Sequence, residues 1–168
     1  MKAAEETFDF EAMFREHYGR VARVIARVVK DPARAEELAV EVFVKFWRSP
    51  QAQGDGAAAW LYRSAVRKGL DELRQRTRRG RYEGFFGIGR KVPTPEDVRG
   101  AWEEQENVRQ VLAALPARQA EMLVLRSHGL SYEELAAELE LNPASVGTML
   151  ARAQDAFREE YIKRHGPQ

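Results

Sequence analysis

Trp60 to Arg81 reads WLYRSAVRKGLDELRQRTRRGR, and two superimposed patterns in it decide the fold. Leu61, Ala65, Val66, Gly69, Leu70 and Leu73 recur at helical spacing, which predicts a helix with one stripe packed against its neighbours. The other positions are strongly basic. Arg63, Arg67, Lys68, Arg74, Arg76, Arg78, Arg79 and Arg81 stand against only Asp71 and Glu72, a local charge of +6 in a chain whose net charge is +1. A positive patch with Trp60 and Tyr62 at one end suits a phosphate backbone carrying bases to stack or unpair. A merely solvated Arg-rich face has the same composition, so the flanking sequence has to separate the two readings.

Immediately before this helix, Ser49 to Gly56 (SPQAQGDG) is dense in helix breakers and reads as a loop. A polar loop at the mouth of a basic helix is a place to hold single-stranded bases, and equally a plain connector. The preceding segment is a regular helix. Asp31 caps it, Pro32 takes its first position, and Ala35, Leu38, Ala39, Val42, Phe43, Phe46 and Trp47 form an apolar face. Trp47 and Trp60 both fall on inward faces and are expected in the core. Opposite lie Glu36, Glu37, Glu41 and Lys45 together with Val40 and Val44. Two valines one turn apart among charges read either as scattered surface residues or as a partner-binding patch. Further upstream, Thr7 or Asp9 caps a first helix to about Lys30, with Val21, Val24, Ile25, Val28 and Val29 inside and Arg20, Arg23 and Arg27 off that face.

Downstream, Gly80 to Glu96 contains four glycines and two prolines without a sustained period and reads as a linker, although Phe85, Phe86 and Ile88 are unusual there. Thr94-Pro95-Glu96-Asp97 opens the second half with a cap. A helix carrying Trp102, Val108, Val111, Leu112 and Leu115 runs to Pro116. The next presents Ala120, Met122, Leu123 and Val124 and ends at His128-Gly129. Ser131 and Glu134 form a capping box for a short helix with Leu135, Ala136 and Leu139. Asn142-Pro143 then starts a last helix with Val146, Leu150, Ala153 and Phe157 inside. Two short helices joined by a tight turn make a helix-turn-helix, whose second helix would bring Ser145, Thr148, Met149 and Arg152 nearest the bases.

The expected fold class is therefore all-α: two small helical bundles, residues 1–79 and 97–168, joined by a flexible linker over 80–96. The 168 residues, 44% apolar, suffice for that. Zero cysteines exclude disulfides, thiol catalysis and cysteine zinc sites. The acidic N-terminus is unlike a signal peptide, and no run reaches the ~18 apolar residues of a membrane span, so a cytoplasmic protein without membrane contact is expected. His17, His128 and His165 have neither ligand nor triad spacing, and no cofactor, metal site or catalytic residue is expected.

The order of these elements resembles that of a bacterial RNA polymerase sigma factor, most closely the extracytoplasmic-function group that keeps only regions two and four. The resemblance is carried by AEELAVEVFVKFWR (35–48), WLYRSAVRKGLDELR (60–74), ALPARQAEMLVLRSHGLSYEELA (114–136) and VGTMLARAQDAFRE (146–159), and so covers both halves. It implies that Glu37, Val40, Glu41 and Val44 contact the polymerase core. It also implies that the 49–56 loop with Arg63, Arg67, Lys68, Arg74, Arg78 and Arg79 engages the promoter −10 element. Ser145, Thr148, Met149 and Arg152 would then read the −35 element. Polymerase core, promoter DNA and an anti-sigma factor are the implied partners, and promoter opening would be assisted by extruding bases.

Several positions depart from that pattern. Val40 stands where the family usually has Gln, Lys68 where region two's third helix usually has Asn, Glu140 where the turn usually has Gly, and Gly147 and Met149 where the recognition helix usually has Lys and Arg. From Ser131 to Glu160 seven acids face two bases, a local charge of −5 that is hostile to phosphates. The second half is therefore expected to bind −35 DNA weakly, by atypical readout, or only when polymerase holds it in place. A free-standing helix-turn-helix regulator, or a sigma-like protein acting mainly through a protein partner, remains an alternative at this point.

Overall fold

The computed structural model describes the backbone of residues 8–85 and 96–167 and the side chains of 8–80 and 103–167. It is helical, with no strand among the described residues. In order come α1 (Phe10–Val29), α2 (Pro32–Trp47), a 3-10 turn (Pro50–Ala52), α3 (Ala57–Phe85), α4 (Glu96–Ala114), α5 (Ala117–Ser127), α6 (Tyr132–Leu139) and α7 (Pro143–His165). The chain divides into two compact units, Met1–Gly69 and Leu70–Gln168, with α3 running through the division. Of the segment expected as a linker, residues 80–85 belong to α3. The expected roles of Thr94, Phe85, Phe86, Ile88 and Trp102 lie outside the described residues or side chains.

In the first unit the caps are those the sequence dictates. Asp9 accepts from Ala12 N at 3.0 Å and Asp31 from Arg34 N at 3.1 Å. Each supplies an acceptor to amides that have no helical partner. Lys30 stops α1 by turning left-handed at φ 54°, and its amide bonds Ala26 O. The five predicted residues of α1 are buried, as are Ala35, Leu38, Ala39, Val42, Phe43 and Phe46 of α2 and Leu61, Ala65 and Val66 of α3. Aromatic rings fill the space between them. Phe14 lies 4.8 Å from Phe43, and Phe8 and Trp60 lie 5.4 and 5.5 Å from Phe46.

Trp47 departs from the expectation: it is 64% exposed. It stands four residues after Phe43 of the buried face and three after Val44 of the opposite one, so the helical period alone assigns it to both. Phe46 fills the core at that level with no exposure, and α2 ends at Trp47, so no further turn shelters the indole.

In the second unit, Val111, Leu115, Ala120, Met122, Val124 and Leu125 are buried together with Leu135, Ala136 and Leu139 of α6 and Val146, Leu150 and Ala153 of α7. His128 Nδ1 bonds Val124 O at 2.7 Å, and Gly129 leaves α5 at φ 88°. The capping box is complete: Glu134 N donates to Ser131 Oγ (3.1 Å) and Ser131 N to Glu134 Oε2 (2.7 Å). Glu140 makes the turn between α6 and α7 in the left-handed region at φ 54°, and Asn142 caps α7 through Ala144 N at 3.0 Å. Arg118 of α5 donates to the carbonyl of Leu139, the last residue of α6. That bond holds the end of α6 to the helix beneath it.

Candidate nucleic-acid interface

The faces of α2 and α3 follow from their burial. Val40 and Val44, 47% and 40% exposed, stand one turn apart, and Trp47 extends them at the same helical side. With Glu41, Lys45, Arg48 and Ser49, the two valines line a shallow hollow of about 340 Å³. An apolar stripe rimmed by charges, left uncovered on a small domain, is what a partner helix fits. Glu37 sits one turn before Glu41, 2.7 Å from Arg34 Nη1. Trp47 is the member of this face that the sequence reading missed. The signal available was its three-residue step from Val44.

The loop after α2 is built rather than loose. Pro50–Ala52 form a 3-10 turn, Ala52 is buried, and Ser49 Oγ donates to Lys45 O at 2.8 Å. Gln53 Nε2 reaches back to the carbonyls of Phe46 and Trp47, each at 3.0 Å. These are carbonyls in the last turn of α2, where regular helical donors run out; Phe46 O also accepts from Ser49 N at 3.0 Å.

Along α3 the predicted stripe is buried through Leu70 and Leu73. The basic residues are not equivalent. Arg67, Arg78 and Arg79 are exposed, and Arg63 is half-buried. Arg74 lies 3.5 Å from Asp71 Oδ1 and Arg76 3.4 Å from Glu72 Oε1. Lys68 does not stand open: its Nζ is 2.5 Å from Glu41 Oε2 of α2. The structure thus brings together one residue expected on the protein-binding face and one expected on the DNA face. Near the start of α3, Tyr62 hydrogen-bonds His17 Nδ1 at 2.7 Å, and Arg20 lies 4.3 Å above its ring. Trp60 is half-buried under Lys45, whose Nζ lies 5.9 Å from the ring.

On α7, Ser145, Thr148 and Arg152 are exposed and Met149 is half-buried. Gly147 has Tyr132 Cε2 3.5 Å from where a Cβ would stand. Phe157 and Leu123, expected inside, are half-buried and line an open groove of about 830 Å³ with Val108, Leu112, Tyr161 and Ile162. No group of three or more metal-ligating side chains occurs among the described residues, and no described helix is long and apolar enough to cross a membrane.

Two family models match the chain: Sigma-70 region 2 over residues 13–79 and Sigma-70, region 4 over 105–154. Among characterised proteins, it is 30% identical over 159 residues to the ECF RNA polymerase sigma factor SigK of Mycobacterium ulcerans, covering 89% of this chain and 83% of that one. It is 28% identical to the ECF RNA polymerase sigma factor SigE of Mycolicibacterium smegmatis, where 93% of this chain spans 62% of that protein. It is also 28% identical to the RNA polymerase sigma-H factor of Pseudomonas aeruginosa, covering 88% and 83%. In fold it is similar to the sigma factor RpoE solved in complex with the anti-sigma factor NepR from Bartonella quintana, with a TM-score of 0.51 at 19% identity over 90% of this chain and 96% of that one.

Proposed function

Since the chain belongs to the extracytoplasmic-function sigma factors, with regions two and four, we propose that its two exposed α2 valines are the centre of the surface by which it docks on RNA polymerase core. The protein is a sigma factor, directing polymerase to promoters for the initiation of transcription. Region two is assigned to residues 1–79 and region four to 97–168, with 80–96 between them and its first six residues in α3; the family matches at 13–79 and 105–154 fall within the two assigned regions. Within region two, Glu37, Val40, Glu41, Val44 and Trp47 meet the polymerase. The uncovered apolar stripe at Val40 and Val44 is the observation that carries this assignment.

The pinned 49–56 loop and the basic face of α3 (Arg63, Arg67, Lys68, Arg74, Arg78 and Arg79) hold the opened −10 strand. Arginines follow the phosphates while the loop takes an extruded base, which offsets the few kcal/mol that unstacking costs. Ser145, Thr148, Met149 and Arg152 approach the −35 major groove, with polymerase holding region four there because its own surface is acidic. The chain itself carries out no bond chemistry. Its docking faces are also where an anti-sigma factor would bind, so that inhibitor and polymerase exclude one another.

Size-exclusion chromatography with bacterial core polymerase tests this. The wild-type chain is expected to co-elute, and Val40→Asp/Val44→Asp to lose co-elution while keeping its helical circular dichroism. A folded wild-type chain that never co-elutes overturns the reading, and a double mutant that still co-elutes moves the docking face elsewhere.

A further inference from the structure

Lys68 Nζ lies 2.5 Å from Glu41 Oε2, joining the α3 face assigned to DNA to the α2 face assigned to polymerase. We propose that this pair is an exchangeable link that makes polymerase docking and DNA binding favour one another; the proposal rests on the assignment of those two faces given above. The pair is built to be broken. Its side chains are 38% and 48% exposed, and an ion pair in that much water contributes little to stability. A competing charge can therefore replace either member at small cost. Glu41 lies beside the apolar hollow of Val40 and Val44, where a docking partner with a basic side chain would reach its carboxylate. Once Glu41 is taken, the Lys68 ammonium loses its partner on α2 and is released to meet a phosphate. In the free chain the Glu41 carboxylate occupies the place that a DNA phosphate would take. Linkage requires the converse too: a phosphate on Lys68 frees Glu41 for the partner by the same factor.

The experiment measures binding of a labelled fork-junction DNA of fixed sequence against salt. It uses the full-length chain alone and bound to core polymerase. In the free chain, Glu41→Gln is expected to raise affinity about two- to fivefold and to steepen the log–log salt slope by about 0.7–0.9, one added phosphate contact. Both gains are expected to vanish in Glu41→Gln/Lys68→Gln. On polymerase, where Glu41 is already engaged, Glu41→Gln is expected to give no gain, while Lys68→Gln flattens the slope. No gain in the free chain, a gain that survives Lys68→Gln, or the same gain on polymerase would each overturn the link. Failure of the wild-type chain to co-elute with polymerase would instead sink the docking assignment, leaving the free-chain comparison readable by itself.

Discussion

Gly69 of α3 lies so close to Val28 of α1 that a Cβ on Gly69 would stand 3.2 Å from the valine Cβ and 3.4 Å from its Cγ1. Glycine inside a helix costs about 1 kcal/mol relative to alanine, so the contact here must outweigh that preference. Val28 is 5% exposed and β-branched, which leaves it one favoured rotamer in a helix and little room to yield. Gly69→Leu is expected to lower stability by about 1–3 kcal/mol through overpacking. Gly69→Ala should lower it less, and less still in a Val28→Ala background, which removes Cγ1 and Cγ2 but keeps the Cβ at 3.2 Å. Urea melts decide this, and a Gly69→Ala protein more stable than wild type would contradict it.

Ser131→Ala is expected to lower stability by about 1 kcal/mol, because the amide of Glu134 loses its acceptor at the start of α6. Ser131→Asp should restore most of it. Thermal melts by circular dichroism provide the check.

Glu140→Gly is expected to stabilise by roughly 0.5–1 kcal/mol. The residue sits at φ 54°, where a Cβ is strained and glycine is not. A lowered melting temperature would show that its side chain contributes more than the strain removes.

Gly147→Lys/Met149→Arg adds two positive charges to α7, within a segment whose local charge is −5. Affinity for duplex DNA should rise, with a salt slope steeper by about one to two. An unchanged slope would place this face of α7 away from the backbone.

Glu160 is held below its ordinary value of 4.5, first by its hydrogen bond with Arg164 at 2.6 Å and then by the charges of Arg164 and Lys163. A depressed carboxylate contributes stability that is present above the unfolded value and lost as pH falls through the folded one. The contribution of Glu160 to holding the last turns of α7, read as amide-exchange protection after division by intrinsic exchange rates, should therefore fall as the pH drops below about 4.5 and be constant above it. In Glu160→Gln that pH dependence should be gone.

The fold was legible wherever local chemistry alone dictates it. Asp9, Asp31, Ser131 and Asn142 begin helices because their side chains reach orphan amides, and the buried stripes follow the 3.6-residue period. Trp47 was misplaced because the period continues past the point where tertiary cover stops, and cover depends on what the rest of the chain builds there. The pairing of Lys68 with Glu41 was illegible for a related reason. Each residue advertises its charge, but their distance is fixed by how α2 and α3 pack, 27 positions apart in the chain. Val40 and Val44 were visible as an anomaly in the pattern, yet only their exposure in the fold separates an open stripe from a covered one.

Gln53 clamps the end of α2 by donating to two of its carbonyls, while Ala52 tucks into the interior. The residues that follow, Gly54, Asp55 and Gly56, are exposed and are tied through their backbone instead, Gly54 O accepting from Ala57 N at 3.0 Å and Gly56 O from Trp60 N at 2.9 Å. The segment is thus divided into a fixed hilt and an interchangeable tip. If this loop takes the extruded base as proposed, promoter preference would change through substitutions at these three positions while Gln53 and Ala52 go on holding the end of α2.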